Sequence, residues 1–418
     1  MTVITYNLNW VKNEWAGIME ADAKGYYAYL PALIIYQDPN FEFFHAIEEQ
    51  KYYNKDLFYD YRYIIGDIWI NKYYCGTALL EMPFFLIAHF LSFLLDYEMD
   101  GYSKLYQGFI SIAAIFYLLT GLVLLNRFLT RFEIKENIRI LILITTVFGT
   151  NLFYYSVCEP GMSHVYSFAM VAFFLNYSKR YHDSQEKWLI PIILISLGMI
   201  ILMRPVNGLI MLLLPFLYSS KKKFLERFKT MWHSKKHLIL GFFGFTTIIS
   251  LQLIYYKIAT GNFFVYSYGE EGFHFSEPHI FDFLFSYKKG LFVYTPIFGL
   301  SLIGLHYLRQ HSFYQFIGFS AFFILLVYIS SSWWQWYYGG SFSTRVFIEF
   351  IPIFMLLLAF AIQHAKHGIQ KFLICGAVIF LIILCQLQTY FYRYYIIHWS
   401  DMTQEKYWNS FKQIGKLF

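Results

Sequence analysis

Long apolar segments separated by short polar loops make up most of the chain after residue 105. Most of these segments approach the ~20 residues that an α-helix needs to cross about 30 Å of hydrocarbon. The pattern predicts ten membrane spans, at 106–126, 138–158, 163–179, 188–203, 206–218, 238–258, 291–308, 313–332, 346–363 and 371–395. The two spans beside Arg204-Pro205 are short, so we expect a tilted or broken pair that meets at the proline. We therefore predict an all-α, polytopic membrane fold.

The first 104 residues form a different block, which is polar and aromatic. It contains 14 acidic residues against 7 basic ones, and it is dense in tyrosine. Tyrosine favours the membrane–water interface, where one end of its ring is apolar and the other is hydrated. We predict three regions: 1–104 as an outer-surface region with interfacial helices, 105–395 as the transmembrane domain and 396–418 as an outer-face tail.

Basic residues cluster in alternate loops between the predicted spans. These loops hold 17 of the 33 basic residues and only five acidic ones. The basic residues are Arg127, Arg131, Lys135, Arg139, Lys179, Arg180, Lys187, Lys221, Lys222, Lys223, Arg227, Lys229, Lys235, Lys236, Arg309, Lys366 and Lys371. Because cytoplasmic loops of membrane proteins are enriched in Lys and Arg, we predict that these loops are cytoplasmic and that residues 1–104 lie outside.

The apolar segment 79–95 is the exception among the candidate spans. It contains Glu81, Pro83 and His89, and its roughly 17 residues are at the lower limit for crossing a bilayer. If it crossed, either the acidic, tyrosine-rich block would be cytoplasmic or the later basic loops would lie outside, so we interpret 77–95 as a juxtamembrane or re-entrant helix. The chain then starts on the outside. We therefore expect that a first membrane helix is missing from this chain, or that the N-terminus is translocated by another route.

Composition agrees with a membrane protein and excludes several other classes. The chain is 58% hydrophobic and 14% charged, with a mean hydropathy of +0.43, whereas soluble proteins carry roughly 25% charged residues. The net charge of +6 is not a signature of nucleic-acid binding, because the basic residues fall in short clusters between apolar segments. The four cysteines have neither metal-ligand spacing nor the spacing of a disulfide framework.

An acidic motif, Glu20-Ala21-Asp22, precedes the aromatic segment that begins near Lys24. Carboxylates beside an interfacial helix are well placed to take a proton from a polar acceptor near a lipid-borne substrate. The alternative is structural: Asp22 caps the helix that begins near Lys24, and Glu20 is solvated beside it.

The predicted outer side collects further polar and aromatic motifs. They are Glu159-Pro160-Gly161-Met162-Ser163-His164, Arg204-Pro205, Lys288-Lys289 and the loop from Trp333-Trp334-Gln335-Trp336-Tyr337 to Arg345. With the acidic motif and the interfacial block, this layout resembles the GT-C superfamily of integral membrane glycosyltransferases. That superfamily includes the protein O-mannosyltransferases and the aminoarabinose transferase of lipid A.

The resemblance implies a GT-C-like fold and an enzyme of the bacterial cytoplasmic membrane. Such an enzyme takes a sugar from a polyprenyl phosphate and passes it to a lipid, glycan or protein acceptor at the outer face. Asp22 then stands where the family has its catalytic carboxylate, with Glu20 beside it. Lys72 stands where the family has a Lys-Pro-Pro-Gly-like entry to an interfacial helix, but the prolines and the family's first membrane helix are absent here.

Each candidate residue can be given a chemical role. We predict that Asp22 is the general base that deprotonates an acceptor hydroxyl or amine, which attacks the anomeric carbon with inversion. The leaving phosphate needs a cation, and Arg345 is the first candidate because guanidinium binds phosphate bidentately. The alternative for Arg345 is an ion pair with Glu349, four residues further along a helix.

Further cation candidates for the donor phosphate are Arg204, Lys288 and Lys289. Arg204 lies beside a helix-breaking proline, where a charge usually faces the protein interior or a water-filled cavity. The alternative for the two lysines is that they reach back to the outer membrane interface.

Acceptor or lipid binding is assigned to a second group of residues: Lys72, Glu159, His164, Trp333, Trp334, Trp336 and Tyr337. The ordinary alternative for the tryptophans is an aromatic belt at the interface. Glu159 and His164 could also ligate a metal ion with Asp22, but a polar turn at a helix end is the better interpretation. We name no catalytic metal and no certain cofactor.

Two other functions remain open. A transporter or lipid flippase would place Arg204 and Arg345 along a substrate path, and a non-catalytic membrane subunit would hold a partner enzyme. The discriminator is geometric. In a transferase, Asp22 and Arg345 should converge on one outer cavity, whereas in a transporter charged residues should continue through the middle of the bilayer.

Overall fold

The structure is a computed structural model that describes residues 1–12 and 14–413. It is nearly all-α, with 69% of the chain helical. The described residues also contain one antiparallel hairpin, in which β1 (Arg62–Ile65) pairs with β2 (Ile68–Asn71).

The bounds of the helices are as follows. The α-helices α1 to α18 are, in chain order, Thr2–Thr5, Asp22–Pro31, Gly76–Leu94, Lys104–Thr130, Glu136–Phe148, Leu152–Val157, Ser163–Ser184, Leu189–Met203, Lys221–His233, Lys235–Thr260, Ile280–Phe285, Leu291–Tyr294, Ile297–Ser301, Gly304–His311, Phe313–Ser331, Ile351–Gln363, Gly368–Arg393 and Gln404–Phe411. The 3₁₀-helices are Glu14–Gly17, Pro205–Leu213, Pro215–Leu217 and Arg345–Phe350. The π-helical segments are Tyr6–Trp10, Ala32–Tyr36 and His45–Lys51.

Within the described residues, six helices are long and apolar enough to cross a membrane, as expected of a multi-pass membrane protein. They are Gly76–Leu94, Lys104–Thr130, Lys235–Thr260, Phe313–Ser331, Arg345–Gln363 and Gly368–Arg393. Five of them overlap predicted spans, and the sixth is the helix that we interpreted as juxtamembrane. The count of ten spans, like that interpretation, stays a prediction.

Several predicted spans are interrupted in the structure. The span predicted at 291–308 is divided into α12, α13 and α14, and the first division falls at Thr295-Pro296, where proline cannot donate the next helical hydrogen bond. The one predicted at 206–218 is two 3₁₀-helices that begin at Pro205 and Pro215. The expected break beside Arg204 is therefore present, since α8 ends at Met203.

Helix α3 packs antiparallel to the first half of α4. The Tyr117 hydroxyl donates to the Leu80 carbonyl at 3.1 Å, and His89 Nδ1 lies 2.6 Å from the Tyr106 hydroxyl. The first residue of α3, Gly76, lies directly against the backbone of Met203, where a Cβ atom would clash. Helix α3 therefore begins beside the end of α8 that leads into Arg204.

The helix Arg345–Gln363 is the centre of the bundle. In an apolar stretch of 18 residues from this helix, 94% of the residues are buried inside the protein. In the corresponding stretch of Gly368–Arg393, only 11% are buried. Because a helix that is apolar on all sides must be covered by protein or by lipid, α16 is a core helix and α17 is peripheral.

The two ends of the bundle differ in chemistry. At one end, Arg131 Nε donates to Asn176 Oδ1 at 3.1 Å, and the Lys135 backbone N–H donates to Gln363 Oε1 at 2.8 Å. The basic loops used to predict orientation gather at this end. The other end carries Arg204 and the aromatic loop, together with residues of the first 104.

Candidate functional site

A large cavity of about 1080 Å³ opens at the end of the bundle opposite the basic loops. Its wall combines the first 104 residues with the ends of several helices and the aromatic loop. Seven of the residues singled out in the sequence line it: Glu20, Asp22, Lys72, Glu159, Arg204, Trp333 and Arg345. Segments far apart along the chain thus meet around one volume.

Asp22 and Arg345 form an ion pair at the cavity wall. Arg345 Nη2 donates to Asp22 Oδ2 at 2.7 Å, and the two side chains are 12% and 17% exposed. The residues are 323 positions apart in the sequence. The convergence expected of a transferase is therefore present for this pair.

The capping interpretation of Asp22 is wrong. The N-cap of α2 is Ala21, no side chain caps this helix, and Asp22 is already its first residue. Ala21 adopts a φ of 46°, a left-handed conformation that costs a non-glycine residue on the order of 1–3 kcal/mol. The Asp22 carboxylate contacts Arg345 and Tyr73 instead of the helix amides.

A chain of hydroxyl groups supports the second oxygen of Asp22. Tyr73 donates to Asp22 Oδ1 at 2.7 Å, and the Tyr59 and Tyr73 hydroxyls are 2.6 Å apart. Gly25 permits this arrangement, because a Cβ atom there would overlap the Tyr73 ring. Burial opposes ionisation of Asp22, but the Arg345 guanidinium and the Tyr73 hydroxyl outweigh it, so the pKa of Asp22 lies below its ordinary value.

The alternative for Arg345, an ion pair with Glu349, is also wrong. Glu349 Oε1 instead accepts from Arg204 Nη1 at 3.3 Å and lies 3.0 Å from His164 Nδ1. The reason is the local backbone: Arg345–Phe350 is a 3₁₀-helix, so residues four apart do not share a face as they do in an α-helix. Glu349 is completely buried beneath the cavity.

Lys289 holds the loop that ends at Arg345. Its ammonium donates to the Ser341 carbonyl, and its own carbonyl accepts from Thr344 Oγ1 at 2.8 Å. Burial lowers the pKa of Lys289 to about 7. Lys288 lies over the Tyr337 ring, 3.4 Å from its centre. Neither lysine lines the cavity, so their proposed contact with phosphate stays a prediction.

Glu20 and Glu159 occupy a second part of the cavity wall. Glu159 accepts from the Tyr154 hydroxyl at 2.9 Å. Burial, with a smaller contribution from Glu20, raises the pKa of Glu159 to about 7, and burial also raises the pKa of Glu20. Unlike Asp22, neither carboxylate has an ion pair at hydrogen-bond distance within the described chain.

The remaining predicted residues divide between the cavity and its surroundings. Trp333 lines the cavity and packs edge-on against Phe273, with ring centres 4.9 Å apart. Lys72 also lines it and pairs with Glu271 at 2.5 Å. His164, Trp334, Trp336 and Tyr337 lie outside the cavity lining, so their assignment to an acceptor or lipid also stays a prediction.

Sequence reasoning missed Tyr59, Tyr73 and Arg393. The tyrosines belong to the dense aromatic block, in which no pattern distinguishes a hydroxyl that reaches a carboxylate from one that reaches water. Arg393 ends α17 and lines the cavity. A cation at the end of the last apolar helix, on the predicted outer side, was the signal that could have identified it.

Within the described residues, no group of three or more His, Cys, Asp or Glu side chains is placed to hold a metal ion. What the site offers is an accessible carboxylate–guanidinium pair, two further carboxylates and aromatic walls. Compared with known proteins, the chain matches no protein-family model, no curated protein and no solved structure.

Proposed function

We propose that this protein is a membrane glycosyltransferase that moves a sugar from a polyprenyl-phosphate donor to an acceptor, with inversion. The observation that carries the proposal is the Asp22–Arg345 pair in one large cavity, 2.7 Å apart and accessible. A general base and a phosphate-binding cation at one site are the minimum that this reaction needs, because phosphate is a good leaving group.

Arg345 has enough N–H groups to bind the donor phosphate and to keep its hydrogen bond to Asp22. One of its N–H groups is used by Asp22, and its side chain is 12% exposed at the cavity wall, although its Nε is buried and has no hydrogen-bond partner within the described residues. Guanidinium has five N–H donors in a fixed fork that matches phosphate geometry. A bound phosphate would offset part of the positive charge of Arg345 that stabilises ionised Asp22. The pKa of the Asp22 carboxylate would then rise, which makes it a stronger base.

The reaction step follows from these roles. The acceptor oxygen or nitrogen forms a bond to the anomeric carbon while its proton passes to Asp22. The bond from that carbon to the phosphate oxygen breaks, and the electron pair leaves with the phosphate held by Arg345. Tyr73 keeps Asp22 oriented through the hydrogen bond to Oδ1. Such acid–base assistance contributes about 10²–10⁴ in rate.

The basic loops support an outward-facing cavity. They gather at the opposite end of the bundle, and loops rich in Lys and Arg are normally cytoplasmic. A lipid-linked sugar presented at the outer face would then reach Asp22 without crossing the membrane.

The distribution of charge favours a transferase over a transporter. In the six apolar helices, charged residues lie within five positions of an end, with Glu81 as the exception. A transport path through the bilayer would be expected to carry charged or polar side chains at its centre.

The proposal can be tested on purified protein in lipid nanodiscs. The protein is incubated with a panel of polyprenyl-phosphate sugars and lipid, glycan or peptide acceptors, and the release of free polyprenyl phosphate is measured. We expect release of polyprenyl phosphate with at least one lipid donor, and no release of nucleotide when nucleotide sugars replace the lipid donors.

A binding measurement keeps the test independent of the choice of sugar. Polyprenyl phosphate is common to all such donors, so it should raise the melting temperature of the wild type but not of Arg345→Gln. Absence of both release and stabilisation, together with lipid translocation in reconstituted vesicles, would favour the transporter instead.

A further inference from the structure

Helix α9, Lys221–His233, lies at the end of the bundle opposite the cavity, and none of its residues is buried. Its start is well defined, because Ser220 Oγ accepts from the Lys223 backbone N–H at 3.3 Å as an N-cap. It connects the 3₁₀-helix that ends at Leu217 with the apolar helix α10. A regular helix is thus kept outside the core, between two apolar segments.

The apolar side chains of α9 form two groups. Phe224 and Met231 pack against the core and attach the helix to the bundle. Leu225, Phe228 and Trp232 point away, with exposures of 50%, 47% and 62%. Their spacing of three and four residues places them on one face. Three large apolar side chains on one face, exposed to water, would be unfavourable in the isolated protein.

The rest of this segment is strongly basic. Between residues 221 and 236 there are seven Lys or Arg residues and one acidic residue, Glu226. Within the described residues, none of the seven forms an ion pair. Among the residues that the structure describes, these cations therefore have no anionic partner.

We propose that α9 is an interfacial helix that binds the headgroups of anionic phospholipids. The exposed apolar face would enter the boundary between headgroups and acyl chains, while the cations contact lipid phosphate. Each Lys or Arg near an anionic surface contributes roughly a fivefold preference for anionic lipid. The site is independent of the cavity and its chemistry.

Other occupants fit this surface less well. A second copy of the chain would bring seven cations against seven, which is repulsive. A soluble acidic partner would not explain the neighbouring helix, where Ile239 and Phe243 are each 70% exposed. Those side chains lie a few residues beyond α9 and need lipid themselves, so the helix is at the level of the membrane surface.

Hydrogen–deuterium exchange of the full-length protein tests this proposal. Wild-type protein is placed in nanodiscs of phosphatidylcholine alone or of phosphatidylcholine with phosphatidylglycerol, and peptides that cover 221–233 are compared. We expect slower amide exchange when phosphatidylglycerol is present. The difference should disappear at about 1 M salt, where the screening length falls to roughly 3 Å.

Variants localise the effect. The triple variant K221Q/K222Q/K223Q should lose the protection, whereas K366Q/K371Q, which removes two lysines at the same end of the bundle, should keep it. Equal exchange of wild-type α9 in the two lipids would overturn the proposal, whatever the variants do. Protection that appears without anionic lipid, and that increases when each nanodisc holds two protein molecules instead of one, would also overturn the proposal. A second chain would then cover the exposed apolar face of α9.

Discussion

Two arginine–carboxylate pairs lie at the same end of the molecule. Both arginines line the cavity, but the carboxylate of one pair is at the cavity wall and that of the other is buried beneath it. Asp22 and Arg345 are 2.7 Å apart, and each is partly accessible. Glu349 and Arg204 are 3.3 Å apart, Glu349 is completely buried, and His164 gives it a further contact. The same two functional groups therefore occupy very different surroundings.

The difference separates a pair that can exchange partners from a pair that fixes geometry. A ligand in the cavity can reach the partly exposed Arg345 and Asp22, and on the proposed function a substrate phosphate and an acceptor proton would compete for their contact. Glu349 is reached only by protein groups, and removing one partner would leave a buried charge uncompensated. We expect substitution of Asp22 or Arg345 chiefly to change activity and substitution of Glu349 to change stability, whereas Arg204 itself lines the cavity.

The largest expected effect is on turnover in Asp22→Asn. Loss of the base should lower the transfer rate by about 10²–10⁴ in protein that still folds and is still stabilised by polyprenyl phosphate. The melting temperature should also fall, because Arg345 loses its ion-pair partner. Asp56→Asn is the matched control, because Asp56 lines the same cavity without contacting Arg345. Full turnover in a folded Asp22→Asn protein would remove Asp22 from the reaction.

The next effect is on the stability of Glu349→Gln. Removing the charge should lower the free energy of unfolding by about 3 kcal/mol, at the low end for breaking a buried ion pair, and the melting temperature should fall accordingly. Glu271→Gln is the control, since its partly exposed pair with Lys72 should contribute about 1 kcal/mol or less. Equal losses in the two variants would mean that burial does not distinguish these pairs.

A smaller change is expected in Arg345→Lys. Lysine keeps the charge but loses the forked donor geometry, so the KM for donor should rise about tenfold while kcat changes less. Arg393→Lys, on the same cavity wall, should leave the donor KM near the wild-type value. A similar rise in both variants would show that Arg345 has no special role with the phosphate.

A further effect is the pH dependence of stability due to Glu159, which lacks an arginine partner at hydrogen-bond distance. Burial, and then Glu20, raises its pKa from 4.5 to about 7. The folded protein thus binds a proton more tightly than the unfolded chain, so stability falls as pH rises from about 4.5 to about 7. Glu159→Gln should flatten this part of a melting-temperature profile measured against pH.

The pKa of Asp22 shifts in the opposite direction to that of Glu159. Its pKa is lowered in the folded state, because Arg345 and Tyr73 outweigh burial, so its contribution to stability is lost as pH falls below its ordinary pKa. Asp22→Asn should therefore alter the acid side of the profile. An identical change in Asp22→Asn and Glu159→Gln would contradict the assigned pKa directions.

The nature of the fold could be predicted from the sequence because lipid imposes a simple requirement. Backbone groups inside a bilayer must bond internally, so long apolar segments become helices. The positions of the breaks were harder to predict. Pro296 interrupts one predicted span, but its effect depends on whether neighbouring segments satisfy the freed backbone groups.

The candidate site was predicted only where chemistry is unusual for its position. A carboxylate in an aromatic segment and an arginine at the mouth of a membrane helix were recognisable, and Asp22 and Arg345 do meet. The wrong alternative for Arg345 assumed α-helical spacing, which a 3₁₀-helix does not provide. Tyr73 could not be distinguished from the other tyrosines, because its role comes from the close approach that Gly25 allows.

The separation of 323 residues between Asp22 and Arg345 has a consequence for biosynthesis. When the ribosome has made the amino-terminal region, its carboxylate still lacks the guanidinium, and it gains one only after the central helix has been inserted. On the proposed function, a nascent or truncated chain that ends before residue 345 lacks the cation that binds phosphate. The site would then be assembled only late in membrane integration, with the helix Gly368–Arg393 still to follow.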